Sequence, residues 1–168
     1  MTRRGFTLST VPETGDHMGD FALPGGVLEG TFFARRDFLL CRQRGAPLVL
    51  VFPHGDEATG YGEQLRSYSD GLETVPLHGA QVWGISSQCV KSNELLARKY
   101  NLRIPLLSDT SRSVARAFGI TASGTELRQA VFLIAPDGTL HWKHVAPLGA
   151  ALPSLTTLCG HVADTRGR

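Results

Sequence analysis

The residues best placed to do chemistry follow an apolar run, Leu48-Val49-Leu50-Val51-Phe52, which stops at Pro53 and gives way to the polar loop 53–61. A buried strand that passes through a tight loop into a helix is where many α/β proteins keep a nucleophile or hold a phosphate. This loop has no cysteine, serine or lysine, and its most reactive side chains are His54, Asp56, Glu57 and Tyr61. His54, Asp56 and Glu57 could be read as metal ligands, but their spacing matches no closed zinc set. A solvated polar loop explains them more simply, and no metal is assigned. The glycines of "GDEATGYG" could turn backbone N–H groups toward a small anion or carboxylate. The lysine and hydroxyl of a nucleotide loop are missing, and Glu57 opposes an anion.

Thiol chemistry rests on three cysteines, Cys41, Cys89 and Cys159. Cys89 follows the strand-like stretch "AQVWGISS" and stands near the start of a helix, where the partial positive charge lowers a thiol's pKa. Lys91 could add to that. Cys89 is therefore either a redox-active thiol or a small residue filling a helix-start position. Cys41 and Cys159 read as small apolar residues in packing positions. A Cys41–Cys89 disulfide turns on a Cα separation that the sequence does not give. His141 and His144 are three apart on an extended stretch, which puts them on opposite faces and argues against joint metal binding. Trp83 reads as core, and Trp142 as either core or a dimer contact.

The elements that position these residues can be traced along the chain. With 168 residues, 42% hydrophobic content and a net charge of +2, the chain has the apolar content for one sizeable core and no basic footprint for nucleic acid. An odd number of distant cysteines without CxxC spacing suggests a reducing cytoplasm. No apolar stretch reaches the length of a signal peptide or a membrane span. Residues 1–18 read as an irregular lead-in, 19–162 as one domain, and 163–168 as a frayed tail. Asp20 to Gly26 reads as a short strand ended by Pro-Gly-Gly, and the following stretch as a second strand with a helical turn. Pro47–Phe52 has the continuous apolar character of a strand buried on both faces. Leu65, Tyr68, Leu72 and Val75 define one helical face. A strand over Ala80–Ser86, a helix stopping near Asn101, and an extended segment Ile104–Asp109 follow. Ser111–Gly119 reads as a short helix capped by Ser111. Gln129–Val145 is a hairpin turning at Pro136-Asp137-Gly138, and a C-terminal helix closes the chain. A right-handed βαβ crossover followed by an antiparallel hairpin and a helix gives a thioredoxin-like α/β sandwich, a mixed central sheet flanked by helices. Loops 53–61 and 86–90 then lie at the same carboxyl end of the sheet.

Six stretches in order resemble the AhpC/TSA peroxiredoxins, nearest to the bacterioferritin comigratory protein branch. They are "TGDHMGDFALP", "GAPLVLVF", "GAQVWGISSQ", "RIPLLSD", "VARAFGI" and "AVFLIAPDG". The resemblance spans Gly15 to Leu158 and implies the peroxiredoxin-type fold. It also implies a thiol peroxidase, in which a low-pKa cysteine attacks the peroxide O–O bond and the sulfenic acid formed is reduced by a second thiol. The family writes its site as P-x-x-x-T-x-x-C. Counting from Pro53 puts Glu57 at the threonine and Gly60 at the cysteine. Aligning on the helix puts Tyr61 at the cysteine, and relatives with C-x-x-C place Ala58 and Tyr61 at the two thiols. Thr59 belongs to the same degenerate loop, and no register yields a thiol. The family's R-A-T-F-L-I falls on Gln129–Ile134, which leaves Arg128 one residue early and on the opposite face.

Three readings remain open. One is a silent relative kept as a binding or dimerisation module, with Tyr61 plugging the old pocket. Another is a redox enzyme using Cys89, with Ser86, Ser87 and the 58–62 backbone lining the pocket and Arg128 as charge partner. The third is a site for a peroxide-like or carboxylate ligand without turnover. Partners implied by the resemblance are a peroxide or small molecule, a thiol reductant and a second copy of the chain. Neither a cofactor, nucleic acid nor a membrane is implied.

Overall fold

Pro24, Gly25 and Gly26, expected to end a strand, lie inside one. In the computed structural model, which describes residues 11–53, 61–120, 128–146 and 150–165, β1 covers Ala22–Glu29 and pairs antiparallel with β2, Phe32–Leu39. The reason is tertiary. A Cβ built on Gly25 would lie 2.5 Å from the Leu106 carbonyl oxygen, and one on Gly26 would run into the Phe33 ring. The two glycines let a neighbouring strand and an aromatic ring close onto the backbone, a role distinct from turning it. A 3-10 turn at Leu40–Gln43 follows β2.

The chain then continues through β3 (Leu48–Phe52), α1 (Tyr61–Gly71), β4 (Gln81–Ser86), α2 (Val90–Tyr100) and β5 (Leu106–Ser108). After these come α3 (Ser113–Ala117), β6 (Gln129–Ile134), β7 (Leu140–Ala146) and α4 (Leu155–Thr165). The strands form one mixed sheet in the order β2-β1-β5-β4-β3-β6-β7. The β3, β4 and β5 strands are parallel to one another, and β6 lies antiparallel against β3.

Both faces of the sheet are covered, which is why β3 is apolar at every position. Val49 and Val51 face Leu65 and Tyr68 of α1, Leu96 of α2 and Leu158 of α4. Leu48, Leu50 and Phe52 face the other way, toward Phe132, Trp83, and Val114 and Ala115 of α3. Tyr68 is buried with its hydroxyl donating to the Pro153 carbonyl at 2.6 Å, and burial holds its phenol well above the ordinary tyrosine range.

Several boundaries differ from the sequence expectation. The helix α1 stops at Gly71, whose carbonyl accepts from the Thr74 and Val75 N–H groups, so Leu72 and Val75 pack on the core from a turn. Residues 163–165, assigned to a frayed tail, complete α4, and Thr165 is buried. Part of the lead-in is docked. Gly15 donates to the Leu140 carbonyl, Leu140 to that of Asp16, and Met18 to that of Gly138. Ser111 caps α3 only in part: its hydroxyl accepts from the Ser113 N–H at 3.3 Å, while Arg112 stands at the N-cap position. The next two N–H groups go to the carboxylate of Asp109, that of Val114 at 3.1 Å and that of Ala115 at 2.9 Å. Trp83 is core, and Trp142 lies partly buried against the α1/α4 side, stacked on His161 at 4.3 Å. Among the described residues, no helix is long and apolar enough to cross a membrane.

Candidate functional site

The parallel strands end together. At that edge Phe52 and Pro53 leave β3, Ser86 and Ser87 leave β4, and Asp109 follows β5. Because β6 runs the other way, its first residues, Arg128 and Gln129, arrive at the same place. A cavity with ≈ 330 Å³ of empty space, its open mouth included, lies there. Its walls are Phe52, Pro53, Ile85, Ala115 and Ile120. Its polar lining consists of Ser86, Ser87, Asp109, Arg112 and Arg128. The structure thus places Ser86, Ser87, Arg128 and Pro53 around one space. Glu57, Ala58, Thr59, Gly60 and the Tyr61 side chain lie outside the described residues.

Local order explains how these groups are held. The Ser86 hydroxyl donates to the Asn93 side-chain oxygen at 3.3 Å and accepts from the Gln88 N–H at 3.2 Å. Asn93 in turn donates to the Ser108 hydroxyl at 3.0 Å. This buried chain of polar groups ties β4, α2 and β5, so Ser86 is fixed by structure more than offered to a ligand. Asp109 donates its N–H to the Ser86 carbonyl at 2.7 Å and spends its carboxylate on the first turn of α3. Arg112 stands just before α3 with φ 62°, a conformation uncommon for a side chain of its size. The Arg128 N–H donates to the Ile120 carbonyl at 2.7 Å, which fastens the entry of β6 to the end of the α3 segment.

Gln129 answers for the family's arginine. It is fully buried, accepts from the Gln64 side chain of α1 at 3.0 Å, and donates to the Ala150 carbonyl. A neutral amide therefore bridges β6, α1 and the segment before α4. The side chain of Arg128, one position earlier, goes to the α3 face with Phe52 and Ile120, as the strand's two-residue period requires. Sequence reasoning missed Asp109 and Arg112, and saw Gln129 only as the residue standing where the family has arginine. The first could have been suspected from a carboxylate just after a strand. The left-handed conformation of Arg112 left no mark on the sequence.

The thiols are separate from the cavity. Cys89 is exposed at the N-cap of α2, with its sulfur 3.3 Å from the Ser92 hydroxyl, and it is not among the residues lining the cavity. The Ser92 hydroxyl, followed by the Ser92 backbone N–H, holds its pKa below the usual thiol value. A group that donates to the thiolate favours the charged form. Alkylation of Cys89 is therefore expected to reach half its maximal rate at a lower pH than a free thiol, and Ser92→Ala should move that midpoint upward. An iodoacetamide rate profile read at the Cys89 peptide checks this, and an unmoved midpoint in the variant would refute it. Cys41, expected in a packing position, is exposed, because the 3-10 turn that buries Leu40 directs its neighbour outward. Its N–H donates to the Asp20 carboxylate at 2.8 Å, and the same carboxylate raises its thiol pKa. Cys159 is half-buried and donates to the Pro76 carbonyl, and all three thiols are free.

Comparison with known proteins places this architecture. The model of the AhpC/TSA family matches residues 14–143. The chain belongs to the AhpC/TSA family. Within that family the similar proteins are peroxiredoxins of the Q and bacterioferritin comigratory protein branch. The chloroplastic peroxiredoxin Q of Gentiana triflora is 32% identical over 99 residues, covering 58% of this chain and 46% of that protein. A putative peroxiredoxin bcp of Coxiella burnetii is 26% identical over 163 residues, covering 93% of this chain and 97% of that protein. The matched region spans about half the length of the plant relatives. Among solved structures, Mycobacterium tuberculosis AhpC superposes with a TM-score of 0.80 at 14% identity, over 94% of each chain. A Plasmodium vivax 2-Cys peroxiredoxin superposes at 0.78 and 17% identity, over 92% of this chain and 82% of that one. These likenesses fit a thioredoxin-like α/β fold of the peroxiredoxin type.

Proposed function

We propose that this AhpC/TSA protein does not reduce peroxides with a thiolate in the usual place, and that it serves as a binding module using the carboxyl edge of its sheet. One observation carries the reading: no cysteine occurs anywhere from Pro53 to Tyr61. Two-electron reduction of a peroxide needs a thiolate there. A tyrosine phenol, with a pKa near ~10, is no replacement. Gln129 supports the same reading, since a buried amide committed to Gln64 and Ala150 has taken the position of the family's arginine. A guanidinium at that point would have been available to a peroxide. Function resides in the site, and an intact fold does not restore it. Three unpaired thiols suit a reducing compartment such as the cytoplasm.

Relocation of the chemistry to Cys89 gains little from the geometry. The Ser92 hydroxyl favours the Cys89 thiolate, but Cys89 stands on the surface outside the arginine-lined cavity. Steady-state consumption of hydrogen peroxide in the presence of dithiothreitol tests the proposal. The wild-type chain should consume peroxide no faster than the same concentration of free cysteine, and Cys89→Ser should change nothing beyond the loss of one such thiol. Saturable turnover abolished by Cys89→Ser would overturn the proposal in favour of a relocated redox site.

A further inference from the structure

Beyond the carboxyl edge, we infer that β2 is a docking edge for an extended acidic segment of another protein, added to the sheet as a strand beside it. β2 stands first in the sheet order, so among the described residues only β1 pairs with it. All eight residues from Phe32 to Leu39 have partners on β1, in unbroken register. A regular edge of that kind turns alternate N–H and C=O groups outward, where a further strand can bond to them. The opposite edge is less open. There the Leu140 N–H and carbonyl of β7 are taken by Asp16 and Gly15 of the lead-in.

Charge decides the sign of the partner. Phe33 is buried in the core beneath α2, so Arg35 and Asp37 share the α2 side of the strand. Arg35 accordingly reaches Glu94 of α2 at 2.8 Å. Arg98, one turn after Glu94, donates to the Thr31 carbonyl at 2.9 Å, and Arg103 donates to the Gly30 carbonyl at 3.1 Å. Lys91 lies one turn before Glu94 and Leu95 on the same exposed flank. Arg35, Lys91, Arg98 and Arg103 are all exposed, and the carboxylates beside them are those of Asp37 and Glu94. Positive charge is therefore in excess on this side. The excess attracts an acidic strand and repels a second copy of this chain, which carries the same charges.

The exposed apolar side chains decide the rest of the pattern. Phe32, Ala34, Arg36 and Phe38 share the other side of β2. Arg36 is balanced there by Glu29 at 3.9 Å and lies over the Phe38 ring at 4.7 Å. Phe32 is 67% exposed, and Leu95, beside the cations of α2, is 62% exposed. Among the described residues these are the large apolar side chains left most open, and α2 packs on β1, so both fall at this end of the sheet. A strand laid against β2 sends successive side chains to opposite sides. Carboxylates on the α2 side meet the cations, and apolar residues on the other side cover Phe32 and Ala34. The edge thus fits a segment in which acidic and apolar residues alternate.

Titration of the full chain with a blocked octapeptide of alternating glutamate and valine, followed by amide chemical shifts and amide exchange, tests the assignment. The same peptide with lysine in place of glutamate is the comparator. The acidic peptide should bind saturably, with shifts centred on Phe32–Leu39 and slowed exchange at alternate amides of β2. The lysine peptide should bind at least about tenfold more weakly, and added salt should weaken the acidic one. Lys91→Glu combined with Arg35→Gln should weaken the acidic peptide about tenfold, and Phe32→Ser should weaken it as well. All three positions are exposed, so these variants are expected to fold, and Arg116→Gln on α3 should leave binding unchanged. Absence of saturable binding, equal affinity for the lysine peptide, or shifts away from β2 would each overturn the inference. So would sedimentation of the free chain as a dimer with protected β2 amides, since the edge would then belong to a second copy. Peroxide consumption enters none of these outcomes, so the proposed function stands or falls separately.

Discussion

Gly25→Ala is expected to destabilise the protein by about 3 kcal/mol, near the upper end of ordinary overpacking. The added methyl would sit 2.5 Å from the Leu106 carbonyl oxygen, 3.1 Å from the Leu107 Cα and 3.2 Å from the Leu106 carbonyl carbon. All three atoms are backbone, so no side chain can rotate aside, and β1 has to move away from β5. The junction is short, with only the pairs Gly25–Leu107 and Gly26–Leu106 in register. Beyond it the hairpin is held by burial of Leu28 and Phe33 in one core and of Leu23 and Phe38 in the other, and by exposed polar contacts such as Arg98 to the Thr31 carbonyl at 2.9 Å and Arg35 to Glu94 at 2.8 Å. Such exposed pairs are worth little. For a chain of this size the midpoint of thermal unfolding should fall by about 6–12 °C. Amide exchange should rise first across Ala22–Leu39. A variant with wild-type stability and unchanged hairpin protection would show that the close approach of β1 and β5 is not as tight as described.

Asp109→Ala should cost a comparable amount, about 3 kcal/mol. The side chain is 3% exposed and serves two buried N–H groups, those of Val114 and Ala115. Loss of a helix cap costs up to about 2 kcal/mol, and leaving a buried donor unpaired adds about 1–3 kcal/mol. Asp109→Asn keeps one acceptor oxygen and should lose about half as much. Thr110→Ala, at the exposed neighbour, should be close to neutral. Urea denaturation of the three variants reads the series. Equal stability for Asp109→Ala and Thr110→Ala would contradict the capping role.

What the sequence made legible follows from how local each cause is. The unbroken run Leu48–Phe52 announced a strand buried on both faces, and it is one, because alternate residues feed two separate cores. Asn101 ends α2 in a left-handed conformation, close to where the helical stripe runs out. Pro24-Gly25-Gly26 misled because proline and glycine usually mark turns, while here Gly25 answers to the backbone of β5 and Gly26 to the Phe33 ring of β2. Ser111 looked like the cap because capping is read from sequence proximity. Arg112, at positive φ, delays the start of α3, and the carboxylate of Asp109 then reaches its N–H groups from further back. Cys41 looked buried among Leu39 and Leu40, and a 3-10 turn faces it outward. At the site, the opposite facing of Arg128 and Gln129 could be deduced from strand parity alone. That Gln129 would be fully buried and bridged to Gln64 could not, since its partners come from α1 and from the segment before α4.

The most direct measurement mixes the reduced protein with one equivalent of hydrogen peroxide and traps sulfenic acid with a dimedone-type reagent. The label at Cys41, Cys89 and Cys159 is then quantified by peptide mass, with Cys89→Ser alongside. The predicted result is slow labelling at the exposed thiols, at rates typical of unactivated cysteine, with somewhat more at Cys89 at low pH because Ser92 favours its thiolate. Rapid, stoichiometric labelling of Cys89 that vanishes in Cys89→Ser would contradict the claim that this member of the AhpC/TSA family has left thiol peroxidase chemistry behind.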